Sequence, residues 1–231
     1  MDALPLLPRV VHTAEEPDAS LLFFGTTLPA PFLADDPTLW PGRVSRTLNE
    51  ASRAVLLLPP LRMGQLMPLA RAAADSGALA VGIDFAALLG VEAESRPRSR
   101  EDLGELKAAC GLPFVVAGIL DPRDVEAAVE AGADVVVACS RLSETIGGPS
   151  LAKLLPELRD AAAEVTLVAR GNMRNGADAL KYLALGADVV HLPSELNPQR
   201  VAWELARALR LTGCRNLKEV HYDLIYEPTF L

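Results

Sequence analysis

Residues 125–140, VEAAVEAGADVVVACS, hold one complete unit of architecture: an alanine-rich amphipathic helix, a Gly-Ala turn and an unbroken β-branched run. The glycine suits the left-handed position that ends a helix. The valines lack the period-two alternation of a half-exposed strand, which is the pattern of a parallel strand buried on both faces. The same unit recurs upstream as LARAAADSGALAVGID (69–84) and downstream as LKYLALGADVVHLPS (180–194). Further strands are expected at 29–34 (PAPFLA), 54–58 (AVLLL), 113–117 (PFVVA) and 165–169 (VTLVA), giving seven in all, with helices between most of them. Such alternation leaves an open doubly wound sheet or a (β/α)8 barrel, and periodicity does not choose between them.

PFVVAGIL (113–120), AAVEAGADVVVACS (127–140), GGPSLAKLLPEL (147–158), NMRNGADALKYLALGADVV (172–190) and LRLTGCRNLKEV (209–220) follow one another in an order and spacing that resemble the second half of the FMN-dependent α-hydroxy-acid dehydrogenases and oxidases. LLFFGTTLPAPFLAD (21–35) and SGALAVGIDFAALLG (76–90) resemble the front of that family more weakly. The resemblance implies an α/β fold: a TIM-type (β/α) barrel of parallel strands, built by residues 1–231 as one domain. It also implies a shortfall. Between the first strand and the strand at Ala54 lie only DDPTLWPGRVSRTLNEASR (35–53), too few residues for a strand, a helix and their connections, so the second βα unit is expected to be shortened or missing. Seven parallel strands do not readily satisfy the linked strand number, tilt and shear of a closed barrel, which calls for a gap, a strand from a chain end, or closure by another subunit.

Active sites of such barrels lie at the carboxyl ends of the strands. There the resemblance sets up an expectation that the residues do not meet. The family phrase VVKGIL, whose lysine stabilises the reduced flavin, is VVAGIL here, with Ala117 in place of the lysine. The family's SNHGGR carries the base and a carboxylate-clamping arginine; aligned through VVACSRLSETIGGP, those positions are Ser140 and Ser143. A serine hydroxyl is no base near neutral pH, so the family's proton abstraction is lost. DGGxRxG, which surrounds the ribityl chain and phosphate, becomes RGNMRNG: Arg170 and Asn172 replace aspartate and glycine, while Gly171, Arg174 and Gly176 match. The closing Gly-Arg pair becomes Pro193 and Ser194, and proline offers no N–H to a phosphate.

The expected function is that of a degenerate, non-catalytic relative with no cofactor, binding a small anionic ligand or a protein partner. Its anion site would comprise Arg170, Gly171, Asn172, Arg174, Gly176 and Ser194, with both arginines converging above a helix that begins near Gly176. The alternative is an FMN-dependent oxidoreductase with an altered site, or another phosphate-ligand barrel enzyme. Cys139 and Ser140 are read as packing rather than a nucleophile pair, and His191 as an ordinary histidine held by a backbone carbonyl. Asp84 is given a local structural hydrogen bond; a metal shared by Asp84, Asp35 and Asp36 is disfavoured. Trp40 and Trp203 are taken as core or interface anchors.

The net charge of −8, with no basic run interleaved with aromatics, argues against nucleic acid. The longest apolar stretch is interrupted by Asp84, and the start lacks the pattern of a leader, so neither a membrane span nor export is expected. Cys110, Cys139 and Cys214 are odd in number and lack metal-ligand spacing, which suits a reducing cytoplasm. Residues 91–101, VEAESRPRSRE, read as a solvated loop. The tail from about 221, HYDLIYEPTFL, needs cover from its own barrel or from a neighbour, in a homo-oligomer or with a partner subunit.

Overall fold

The computed structural model describes residues 4–9, 14–36, 43–47, 54–75, 78–86, 98–163 and 165–226. A hairpin of β1 (Leu21–Phe23) and β2 (Thr26–Leu28) leads into the barrel strands β3 (Phe32–Asp36), β4 (Arg43–Thr47), β5 (Ala54–Leu58), β6 (Ala80–Asp84), β7 (Phe114–Ile119), β8 (Val135–Cys139), β9 (Thr166–Arg170) and β10 (Val189–Leu192). They close in the order β10-β3-β4-β5-β6-β7-β8-β9, and β9 pairs with β10 to complete the ring. Seven strands are parallel, as the sequence leads one to expect. The eighth, β4, runs antiparallel to both neighbours, with Ala34 opposite Arg46 and Val44 opposite Leu56.

Chain length explains this exception. Residues 37–42 and 48–53 leave six on either side of β4. A parallel crossover needs a dozen or more residues, whereas an antiparallel return needs as few as two. The shortened second unit is thus a single reversed strand. The closing strand comes from inside the chain, which was not among the three routes that strand counting suggests.

Around the barrel pack α1 (Met63–Asp75), α2 (Arg100–Cys110), α3 (Pro122–Glu130), α5 (Leu151–Ala162), α6 (Gly176–Ala184) and α7 (Pro198–Thr212), with a short α4 (Ser140–Thr145) at the end of β8. Their ends follow local chemistry. Ser99 and Asp102 form a capping box on α2, Asn197 with Pro198 opens α7, and the glycine after α3 takes the expected left-handed conformation at φ 88°. Ser99 to Glu101 therefore cap and begin α2 rather than belonging to a loop, and residues 91–97 lie outside the described residues.

Strand alternation divides the core in two. Val116, Val136, Ala138, Leu167 and Val190 face the helices, and Leu33, Val55, Leu57, Val115, Val137, Val168 and Val189 face the barrel axis. Phe23 and Leu28 of the hairpin join the inner cluster, plugging the end where the strands begin. The remaining space inside is about 10 Å³, no more than one water can use. The described part of the tail, as far as Tyr226, docks on its own chain: Leu224 and Ile225 are buried, Leu7 N–H donates to the Leu224 carbonyl, and Tyr226 N–H donates to that of Pro5. Of the two roles expected of Trp203, core or interface anchor, the core is excluded: it is 63% exposed on α7 beneath the Arg207 guanidinium. Trp40 lies outside the described residues.

Candidate functional site

The alternation that points Val137, Val168 and Val189 inward places Cys139, Arg170 and His191 one layer higher, at the carboxyl ends of β8, β9 and β10. This layer forms the floor of a cavity of about 360 Å³ that is bordered further by Ser140, Arg141, Glu144, Gly171, Asn172, Pro193, Ser194 and Glu195. Among buried residues Arg170 is unusual, at 8% exposure. One amino group, Nη1, donates to Asp84 Oδ2 at 2.9 Å, across from the end of β6. Asp84 is 1% exposed and its other oxygen accepts from Ala86 N–H at 2.9 Å. The local hydrogen bond expected of Asp84 is present, and the long-range ion pair is an addition that local reading did not reach. The other N–H groups of Arg170 have no partner among the described residues, and the residue lines the cavity.

Ala117 has no exposure and belongs to the apolar interior beneath this layer. Just beyond it the β7–β8 register shifts at Gly118, whose φ is +86° and whose missing Cβ would lie 2.3 Å from Ala86 N. Ser140, 8% exposed, borders the cavity with its hydroxyl unpartnered among the described residues. Ser143 does not border it: the hydroxyl donates to the Pro149 carbonyl at 2.6 Å and fastens the turn before α5. Of the two positions that the sequence resemblance assigns to a base and a clamp, one borders the cavity and the other fastens a turn.

The expected anion site is divided by the fold. Arg170, Gly171, Asn172 and Ser194 border the cavity; Arg174 and Gly176 do not. Arg174, expected to converge with Arg170, instead donates through Nε to Asp178 Oδ2 at 3.0 Å, so the guanidiniums serve different carboxylates. Asn172 donates to Glu144 Oε1 at 2.9 Å. Gly176 N–H, the donor that a helix start would offer to an anion, is taken at 3.0 Å by Glu204 Oε2 from α7. That bond holds the Glu204 carboxyl below its ordinary range, with the Arg200 guanidinium contributing further. Both glycines are explained by packing. A Cβ on Gly176 would stand 2.2 Å from Leu205 N, and one on Gly171 2.4 Å from the Tyr182 hydroxyl. Burial, then the charges of Asp178 and Glu144, push the Tyr182 phenol up to about 12.

Glu204 and the Asp84–Arg170 pair were missed for one reason: the partners are far apart in sequence. A signal existed for the second, since an arginine at a buried strand end calls for a carboxylate, and Asp84 ends another strand of the same barrel. No group of three or more metal-ligating side chains occurs among the described residues, and Asp35 and Asp36 are described only as backbone of β3. Cys110, Cys139 and Cys214 are buried and form no disulfide among the described residues. No helix among the described residues is long and apolar enough to cross a membrane.

In sequence the chain is similar to L-lactate dehydrogenases of Acinetobacter baumannii and Chromohalobacter salexigens, at 31% identity over 145 and 141 residues respectively. The first match covers 56% of this chain and 38% of the relative, so the chain spans well under half the length of the curated relatives it matches. In fold it is similar to solved structures of mandelate oxidase. One, a variant with a monooxide FMN adduct, gives a TM-score of 0.75 at 22% identity, covering 95% of this chain and 86% of that one. Another gives 0.73 at 19% identity, covering 95% and 85%. The model of the FMN-dependent dehydrogenase family matches residues 60–194, more than half of the chain, and the chain belongs to that family.

Proposed function

We propose that this chain is a non-catalytic member of its family that binds a small carboxylate- or phosphate-bearing molecule in the cavity at the barrel mouth, without flavin. The observation that carries the reading is Arg170: nine-tenths buried, charge-balanced by Asp84 through one amino group, and left with further donors at a cavity. A guanidinium has five N–H donors in a planar fork suited to such anions. Ser140 and Ser194 add hydroxyls at the same cavity.

The residues present do not fit the flavin phosphate. Pro193 has no N–H, Gly176 N–H is engaged by Glu204, and both loop glycines accommodate side chain or backbone of the protein itself. Nor is there a charge at Ala117 or a base at Ser140 for oxidation of a hydroxy acid. A fold does not restore chemistry that its site residues no longer support.

The test has two arms. Titration of FMN into the purified protein, followed by visible absorption, is expected to leave the free-flavin spectrum unchanged, and lactate and mandelate to remain unoxidised with FMN present. Flavin uptake with turnover would establish instead the altered-site oxidoreductase that family membership offers as the other reading. Calorimetric titration of glycolate, lactate and inorganic phosphate is expected to give saturable binding by at least one, weakened at least about tenfold in Arg170→Lys, which keeps the charge facing Asp84 but not the fork. Absence of binding by all three would reject the anion site.

A further inference from the structure

The charges around the mouth specify more than an anion. Arg141 and Arg170 border the cavity, and so do Glu144 and Glu195. Asp84 beneath the floor already neutralises Arg170, so acidic groups outnumber basic ones there. Glu144 is held by the neutral amide of Asn172, and Glu195 accepts a long 3.4 Å bond from Ser194; neither carboxylate has a cationic partner among the described residues. A ligand that is only an anion reaches Arg170 past two carboxylates, on a protein of net charge −8. A ligand carrying a cationic group as well turns that repulsion into attraction.

We propose that the mouth cavity takes a small zwitterion of the α-amino-acid class, its carboxylate on the unshared N–H groups of Arg170 and its ammonium facing Glu144 and Glu195. The inference rests on the mouth being a small-ligand site and adds which ligand it prefers. Three features support the class. Arg170 and the two glutamates border one cavity, so both charges of one molecule are served there. Its volume of about 360 Å³ lies toward the small end for ligand pockets, which suits a compact molecule. Ser140, buried and with a hydroxyl unpartnered among the described residues, supplies a neutral donor beside Arg170 on the floor side.

The experiment compares carbon skeletons. Glycine, L-alanine, L-serine and L-aspartate are titrated calorimetrically into the full chain beside glycolate, L-lactate, L-glycerate and L-malate, with inorganic phosphate as a further probe. At least one amino acid is expected to bind about tenfold or more tightly than its hydroxy-acid counterpart and than phosphate. In a Glu144→Gln/Glu195→Gln variant, changed at two exposed positions, that advantage is expected to vanish while hydroxy-acid binding holds or strengthens. Hydroxy acids or phosphate binding as tightly as the amino acids would overturn the zwitterion preference and leave the anion site standing. Unchanged amino-acid affinity in the double variant would overturn the assignment of the ammonium. Failure of every probe would remove the ligand site and this inference together.

Discussion

Arg170 and Asp84 are a buried pair whose worth depends on both members. Removing one partner leaves the other charged and desolvated, which costs about 3–5 kcal/mol, whereas replacing both by well-packed apolar groups is often neutral. Arg170→Ala is therefore expected to lower the urea-unfolding free energy by about that amount, and Asp84→Leu/Arg170→Met by much less. Equal losses in the two proteins would mean the pair contributes by packing alone. Tyr182 makes a separate prediction with a pH signature. Its folded pKa, about 12, lies above the ordinary 10.0, so the neutral phenol is favoured by the fold. Its contribution is complete below pH 10 and is lost as pH rises toward 12, on the order of 3 kcal/mol for that shift. Tyr182→Phe should remove that part of the alkaline decline in chemical-denaturation midpoints; an identical decline in both proteins would place its cause elsewhere.

The junction of α6 and α7 shows how an element can occupy a backbone donor at the start of a neighbouring helix. α7 brings the Glu204 carboxylate to Gly176 N–H and its own backbone to within a Cβ's reach of Gly176. Glu204→Ala leaves the first turn of α6 without that acceptor and should cost about 1 kcal/mol, in the range of a lost helix cap. Gly176→Ala is a harsher change, because the obstacles to the new methyl are backbone atoms of Val201, Glu204 and Leu205 rather than a side chain that turns aside. Overpacking of this kind costs about 1–3 kcal/mol or more. Thermal or urea unfolding ranks the two, and Gly176→Ala being the milder would show that α7 shifts easily.

For the whole molecule, β4 decides whether the sheet closes. Its ladder to β3 and β5 ends both as edge strands, and an uncovered edge is a template for pairing with another chain. Val44→Pro/Arg46→Pro removes two ladder donors from β4 and is expected to reopen the sheet. Size-exclusion chromatography should then report self-association, with increased binding of a hydrophobic dye. A monomeric double variant with unaltered dye binding would mean that the barrel holds without this strand.

Residues 69–84, 125–140 and 180–194 carry their own fold instructions, because helix period, cap and buried-strand pattern are local properties written within a few turns of chain. The family was legible for a similar reason, since Gly-Ala turns and valine runs recur at fixed spacing. So was the presence of Ala117, Ser140 and Pro193 at the strand ends, which depends on residue identity alone. The reversal of β4 was bounded by length but not stated by it, because five residues of strand read the same in either direction and hydrogen-bonded neighbours settle the choice. The engagement of Arg170 by Asp84, and of Gly176 by Glu204, was decided by the fold, which brings together side chains 86 and 28 residues apart. Electrostatic and hydrogen-bond energies depend on distance in space, and chain separation does not encode that distance.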